Sequence, residues 1–339
     1  MSNRASRTRS PIGSSRADRA VRALPAILLA AWCAGCAGGA PSPAAPDEGP
    51  YVLVLGTAQD GGLPHVACTC VRCEAARRNP ALRRRVASLA LIVPATGRRY
   101  LIDATPDIRE QIDALPAVGS HPRGSVDRAP VDGVLLTHAH AGHILGLALF
   151  GFEAVHTRHL PVYATPRLSG YLRTNGPWAR MVAREEIDLR ETAYGASVPL
   201  DHGVRVIPLA VPHRDEDSDT VGYRIEGPRR TLLYVPDTDG WSAWDPPLTR
   251  ALEGCDVALL DGTFGSADEL PGRDVSKIGH PLIGDTMRLL EEPVRSKRVA
   301  VYFTHLNHSN DTVDPKSAAA ERVRAAGFAI AAEGQRFPL

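Results

Sequence analysis

The sequence predicts an α/β protein in which two sheets pack face to face and helices cover their outer sides. Short apolar runs separated by turn residues recur from Tyr51 onward, many as consecutive, antiparallel-looking strands. Helical patterns are interspersed in both halves, and the antiparallel-looking strand runs disfavour a doubly wound parallel sheet. No repeat of solenoid period is present. The 339 residues are 44% hydrophobic and 23% charged, a globular composition with length for one large domain or two small ones.

Each element has its own signal. "YVLVLG" (51–56) reads as a strand ending at Gly56, before the Gly- and Cys-rich loop "TAQDGGLPHVACTC". "VASLALIV" (86–93) and "RRYLIDA" (98–104) read as paired strands turning at "PATG". "PDIREQIDAL" is helical, "VDGVLLT" (131–137) is a buried strand, and "HILGLALFG" (143–151) has the length and pattern of a helix. "LPVYAT" is a strand and "PRLSGYLRTN" a helix with Pro166 near its start. Strands follow at "GVRVIPLAV", "DTVGYRIEG", "RTLLYVPD" and "CDVALLDG". "PLIGDTMRLLEE" reads as one helix, "RVAVYFTH" as a strand, "DPKSAAAERVRAA" as a helix and "FAIAAE" as a last strand.

The N-terminus reads as an address. Six arginines precede "ALPAILLAAW" and then "CAGCAGGAPSPAAP". A basic leader, a short apolar segment and small residues before a cysteine mark a secretory signal. The apolar stretch falls short of the roughly 20 residues a membrane span needs. "CAGC" resembles a lipobox with Cys36 as the lipidated residue, although Cys33 stands where leucine is usual. The expected organisation is a signal peptide at 1–36, a Pro/Ala/Gly-rich linker at 37–49 and one domain at 50–339. A cleaved soluble exported protein and a cytoplasmic enzyme with a basic extension are the alternatives. Membrane association is expected only through the lipid. The net charge is +1, but beyond residue 36 there are 33 basic against 37 acidic side chains, which gives no electrostatic case for nucleic acid.

Chemistry-bearing residues gather at strand ends: Asp103, His138, His213, Asp237, Asp261 and His305. In "THAHAGH" (137–143), His138 and His140 point to one side of an extended segment, and His143 opens the next helix. Three imidazoles at a strand-to-helix corner make a facial set for a divalent ion. Cys68, Cys70 and Cys73 in "CTCVRC" are close enough to converge on one zinc, with His65 and His308 as candidate fourth ligands. A disulfide is the rival in an oxidising compartment, but three cysteines leave one over. Cys255 reads as core packing.

The order His-x-His, His143, a later His213, Asp237 and a C-terminal His305 resembles the metallo-β-lactamase superfamily over about residues 50–339. That resemblance implies a four-layer αββα sandwich with the site along one edge. It implies His138, His140 and His213 on a first metal, His143 and His305 on a second, and Asp237 bridging. "GTAQDGG" with "CTCVRC", then "HRDEDSDTVGY", "DGTF" and "THLNHSN", is similar to the family of coenzyme PQQ synthesis protein B. The C-x-C-x-x-C is also similar to the cyclic phosphodiesterases of phosphonate breakdown. In those families the cysteines hold a structural zinc, which the resemblance implies for Cys68, Cys70 and Cys73.

The pattern departs from the superfamily at Gly142, where a carboxylate would serve the second metal. Either one ion binds, or a second is held more weakly. Asp60, Asp103 or Asp261 can compensate, and each reads equally well as a turn or strand-end acceptor. A corner glycine can also be required for positive φ. Weaker features have ordinary readings beside functional ones. "GPWARM" and "DGWSAWDPP" can line a pocket or pack as core, and "RDEDSD" can bind a cation or be a solvated loop. His280 can approach the site, and Gly56, Gly61 and Gly62 can give backbone room beside it.

The first expectation is a Zn2+ enzyme (alternatively Fe2+ or Mn2+) hydrolysing an ester or phosphoester of a small-molecule substrate. Asp237 would orient the attacking water and His305 stabilise the leaving oxygen. The second keeps the metal and performs oxygenation, or handles a quinone precursor, as the family resemblance implies. The third is a non-catalytic periplasmic binding or transport-accessory lipoprotein. Export has a direct test. Fractionation should find the chain with envelope membranes, and Cys36→Ala should release or mislocalise it. Full-length protein with residues 1–36 intact in the cytosol overturns the export reading.

Overall fold

The computed structural model describes residues 49–119, 124–270, 272–274 and 278–339. The expected signal segment, Cys36 and the expected linker up to residue 48 lie outside the described residues. In chain order the first-half strands are β1 (Tyr51–Gly56), β2 (Ser88–Val93), β3 (Arg98–Ile102), β4 (Gly133–Leu135), β5 (Leu160–Ala164) and β6 (Ile187–Glu191). The second half supplies β7 (Val198–Pro199), β8 (Arg205–Ala210), β9 (Val221–Glu226), β10 (Thr231–Val235), β11 (Val257–Asp261), β12 (Ala300–Thr304), β13 (Ala329–Ile330) and β14 (Arg336–Pro338). The helices are α1 (Val71–Arg78), α2 (Ile108–Asp113), α3 (Ala141–Ile144), α4 (Pro166–Thr174), α5 (Trp178–Ala183), α6 (Leu248–Ala251), α7 (Ile283–Leu289), α8 (Glu291–Arg295) and α9 (Ala318–Ala325).

Among the described residues the strands form two seven-stranded sheets, ordered β14-β1-β2-β3-β4-β5-β6 and β13-β12-β11-β10-β9-β8-β7. Both sheets are mixed. β14 to β3 pair antiparallel and β3 to β6 parallel, while β7 to β10 pair antiparallel and β10 to β13 parallel. The antiparallel-looking runs of the sequence therefore account for only half of each sheet. The parallel halves are the ones with helices between strands, as crossovers require.

Apolar side chains lie on both faces of the central strands. Leu232 and Tyr234 join Val52, Leu91, Val206 and Leu259 in a core between the sheets. Their neighbours Leu233 and Val235 point the other way, into a core with Leu248, Ile283 and Val323 from the helices. On the far side Leu53, Ile92 and Val134 meet Ile108, Leu168 and Met181. Three cores separated by two sheets make the αββα sandwich, and they explain why "LLYV" and "VALLD" are continuous apolar runs.

Two segments differ from their expected helices. "HILGLALFG" yields only α3 and then a 3-10 turn over Leu145–Phe150. The segment after β3 docks on it: Ala104 N–H donates to His143 O (2.8 Å) and Gly146 N–H to Ala104 O (2.9 Å). "PLIGDTMRLLEE" breaks at Leu290 into α7 and α8, with Pro293 in the first turn of α8, where its missing N–H is tolerated. α4 and α9 begin at caps read easily from sequence, Thr165 accepting from Leu168 N–H and Ser317 from Ala320 N–H. No helix among the described residues is long and apolar enough to cross a membrane.

The two sheets are tied together beside the strand end of β4. Buried Tyr223 donates its hydroxyl to Leu136 O (2.7 Å), and Val221 N–H donates to Thr137 O (3.0 Å). Tyr223→Phe should lower unfolding stability by about 1–2 kcal/mol, the cost of one lost buried hydrogen bond. Urea titration measures it, and an unchanged midpoint would show that the bond carries no such weight.

Candidate metal centre

The sequence-identified residues converge at one end of the sandwich. Asp103 follows β3, His138 and His140 follow β4, and His143 lies within α3. His213, Asp237, Asp261 and His305 follow β8, β10, β11 and β12, or close them. One carboxylate oxygen is central. Asp237 Oδ2 lies 3.2 Å from His213 Nε2, 3.4 Å from His138 Nε2 and 3.8 Å from both His143 Nε2 and His305 Nε2. His140 faces it through Nδ1 at 4.0 Å.

Four of the five rings are oriented from behind through Nδ1. Thr137 hydroxyl binds Asp103 Oδ2 (2.9 Å) and His138 Nδ1 (2.9 Å), and His143 Nδ1 lies 2.7 Å from the same Asp103 oxygen. The second half repeats this device. Thr263 hydroxyl binds Asp261 Oδ1 (2.7 Å) and His305 Nδ1 (2.9 Å). His213 Nδ1 is held by Asp239 at 2.8 Å. With Nδ1 engaged as donor, Nε2 presents its lone pair to the common point, the arrangement that metal-binding histidines adopt.

Charge follows the same geometry. Burial and the neighbouring His143 keep His138 well below its ordinary pKa, leaving the neutral form that ligates metals. Burial opposes protonation of His143, but Asp103 and Asp60 outweigh it and raise its pKa. Burial likewise disfavours ionised Asp237, and the imidazoles of His305 and His280 hold its carboxyl well below the usual range. His138 Nε2, His143 Nε2, His305 Nε2, Asp60 Oδ1 and Asp237 Oδ1 are all buried without a hydrogen-bond partner. A divalent ion would satisfy this donor set, which otherwise incurs about 1–3 kcal/mol for each unpaired group. The residues therefore fit a metal. Three overlapping ligand groups share the region: His138, His140, His213 and Asp237; Asp60, His143 and His305; and Asp237, Asp261, His280 and His305.

The three carboxylates that could compensate for Gly142 separate clearly. Asp103 accepts from Thr137 N–H, Thr137 hydroxyl and His143. Asp261 accepts from Thr238 N–H, Thr263 and His280, so both are positioning groups with filled acceptor sites. Asp60 alone keeps an oxygen free, with Oδ1 at 3.5 Å from His143 Nε2 and 3.7 Å from His305 Nε2. His280 does reach the centre, with Nδ1 at 2.8 Å from Asp261 and 3.3 Å from Asp237 Oδ1. These two carboxylates outweigh burial and raise its pKa to about 9. Asp103 (φ 68°), His280 (φ 71°) and His305 (φ 59°) hold left-handed backbone conformations, which Asp and His tolerate better than most residues. Gly142 does not: it lies inside α3 and shows no positive φ.

A cavity of about 530 Å3 adjoins the centre at Asp239 and His280 and is floored by Trp241, Leu248 and Leu289. The two tryptophans of "DGWSAWDPP" thus divide, Trp241 to the cavity and Trp244 to the core. Trp178 of "GPWARM" is core. In "RDEDSD", Asp215, Glu216 and Asp217 are exposed while Ser218 turns inward to accept Ala139 N–H. Glu216 lies 3.5 Å from His140 Nε2.

Some 65 residues before His138, the thiols of Cys68, Cys70 and Cys73 gather with His308, all ligand atoms within 4.8 Å of one another. His65 instead bonds Val66 O through Nδ1 and lies against the His308 ring. All four cysteines of the described residues are free. Burial drives the Cys73 thiol up to about 12. Cys255 is buried in the outer core, as expected.

A family model described as the beta-lactamase superfamily domain matches residues 98–306. The chain belongs to the metallo-β-lactamase superfamily and is, within it, a relative of coenzyme PQQ synthesis protein B. It is 31% identical to that protein from Methylobacterium nodulans, across 85% of this chain and 99% of the relative. The Methylococcus capsulatus protein is 27% identical across 84% and 98%. The crystal structure of Zn(2+)-bound PqqB from Methylobacterium extorquens superposes with a TM-score of 0.72 at 25% identity, covering 85% of this chain and all of that one. A diphosphatase of the PhnP family shares the fold at a TM-score of 0.58 and 22% identity, covering 85% and 96%.

The supporting shell has a direct test. Asp103→Asn keeps the size of the side chain but removes the charge that orients His143 and, through Thr137, His138. It should weaken metal binding at the histidine centre by roughly 10–100-fold. Competition with a chromophoric chelator reads this, and wild-type affinity would refute the positioning role.

Proposed function

We propose that the protein is a metal-dependent enzyme of the coenzyme PQQ synthesis protein B type, acting on a planar quinone precursor at the His/Asp centre. The observation that carries this reading is the ring of orphaned buried nitrogens and oxygens around Asp237, in a chain related over nearly the full length of those proteins. His138, His140 and His213 with Asp237 would hold one ion, and zinc, iron(II) and manganese(II) all suit imidazole and carboxylate. The ion supplies Lewis acidity or, if redox-active, oxygen chemistry.

The chain's own residues supply placement. Trp241, Leu248 and Leu289 offer an apolar floor for a flat ring, and His280 and Asp239 are the polar groups at the metal end. Burial of the Asp237 region excludes water and strengthens every charge interaction around it. The cysteine cluster, with His308 as fourth ligand, would hold a structural zinc that pins α1 to the loop after β12.

Hydrolysis is the second reading. What favours it is the presence of more than one ligand group around Asp237, since two adjacent ions can clamp the attacking and leaving oxygens of an ester or phosphoester. Anaerobically purified protein, reloaded separately with Fe2+, Mn2+ or Zn2+, separates the two. Oxygen uptake dependent on a quinone precursor, with Fe2+ and not Zn2+, is the expected result. Metal-independent inertness toward oxygen together with zinc-dependent phosphoester cleavage would overturn it in favour of hydrolysis.

A further inference from the structure

The glycine at position 142 removes a carboxylate, and the space beside it is filled from elsewhere. A Cβ built on Gly142 would lie 2.0 Å from Asp60 Oδ1 and 2.8 Å from Asp60 Cα. Any side chain at 142 therefore collides with Asp60, backbone included. Asp60 comes from the loop after β1, which is fixed rather than loose. Gln59 N–H donates to Leu306 O (2.9 Å) and Leu306 N–H to Thr57 O (2.8 Å), fastening the loop beside His305. Gly62 turns the chain away at φ +70°, a conformation that favours glycine.

We propose that Asp60 takes over the role of the missing carboxylate, ligating a second ion with His143, His305 and Asp237, and that Asp60 and Gly142 are a reciprocal exchange. The inference rests on the metal-centre reading above and adds an ion to it. Asp60 Oδ1 is buried, lacks any hydrogen-bond partner, and stands within 3.7 Å of both imidazoles it would share the ion with. The alternatives are already used, since Asp103 and Asp261 have their oxygens engaged by threonines and histidines. The centre is thus dinuclear in a sequence whose motif lacks the second-site acid.

The test counts ions at the histidine centre by isothermal titration with Zn2+, with the cysteine-bound ion counted separately through a Cys70→Ser background. Wild-type protein should take two ions at the centre. Asp60→Asn, almost unchanged in size, should keep the first and bind the second more than about 100-fold more weakly, beyond the loss typical of an outer-shell partner. Gly142→Asp alone should destabilise the chain by its clash with Asp60. The exchange Asp60→Gly/Gly142→Asp should recover both folding and the second ion.

Two tightly held ions in Asp60→Asn overturn the inference. So does a single ion in the wild type that is indifferent to Asp60, an outcome that leaves the metal-centre reading intact. A wild type that binds no ion at the histidines refutes that reading itself. If the exchange variant folds but stays at one ion, the two positions do not share a role. If it does not fold, Asp60→Asn decides.

Discussion

One oxygen organises this end of the molecule. Asp237 Oδ2 sits among five imidazoles drawn from the ends of β4, β8 and β12 and from α3. A buried carboxylate of this kind is tolerable only where positive charge compensates it, whether from protonated histidines or from a metal. The strands are parallel where they approach it, so several chain ends point the same way and deliver their polar residues to one edge. The three apolar cores have no polar work of their own. They hold that edge still.

The second recurring device is the threonine–aspartate pair. Thr137 with Asp103 and Thr263 with Asp261 each place a hydroxyl between a saturated carboxylate and a histidine Nδ1. The two pairs stand at strand ends of the two sheets, one after β3 and β4 and the other at the end of β11. Because each carboxylate is already satisfied, it serves as a fixed charge and orients the ring ahead of it. An oxygen with no such partners, as in Asp60, has a different vocation.

Much of this was legible in the sequence. Strand-end histidines and aspartates are visible because buried strands read as apolar runs and stop at the first polar residue. The sandwich with outer helices followed from the strand and helix pattern. What stayed hidden was set by tertiary contacts. The parallel pairing of β3–β6 and β10–β13 depends on crossovers, and β6 ("IDLRE") carries too few apolar residues to stand out. α1 was masked by the cysteine motif that overlaps it. α3 was cut short because the Ala104 backbone takes its hydrogen bonds. Asp60 could be named as a candidate but not chosen. Its contact with Gly142 spans two elements far apart in the chain and has no local signature.

Asp103, His280 and His305 carry left-handed backbone at the heart of the centre. Such conformations are costly for residues with side chains, by roughly 1–2 kcal/mol each, and survive only where surrounding contacts over-determine them. The His305 imidazole, and the Asp103 carboxylate that orients His143, are in consequence held more like parts of a rigid macrocycle than of a flexible chelator. A macrocycle discriminates by radius, since it cannot contract around a smaller ion or open for a larger one. Selection among candidate ions would therefore rest on their fit to donor positions that the backbone has already set.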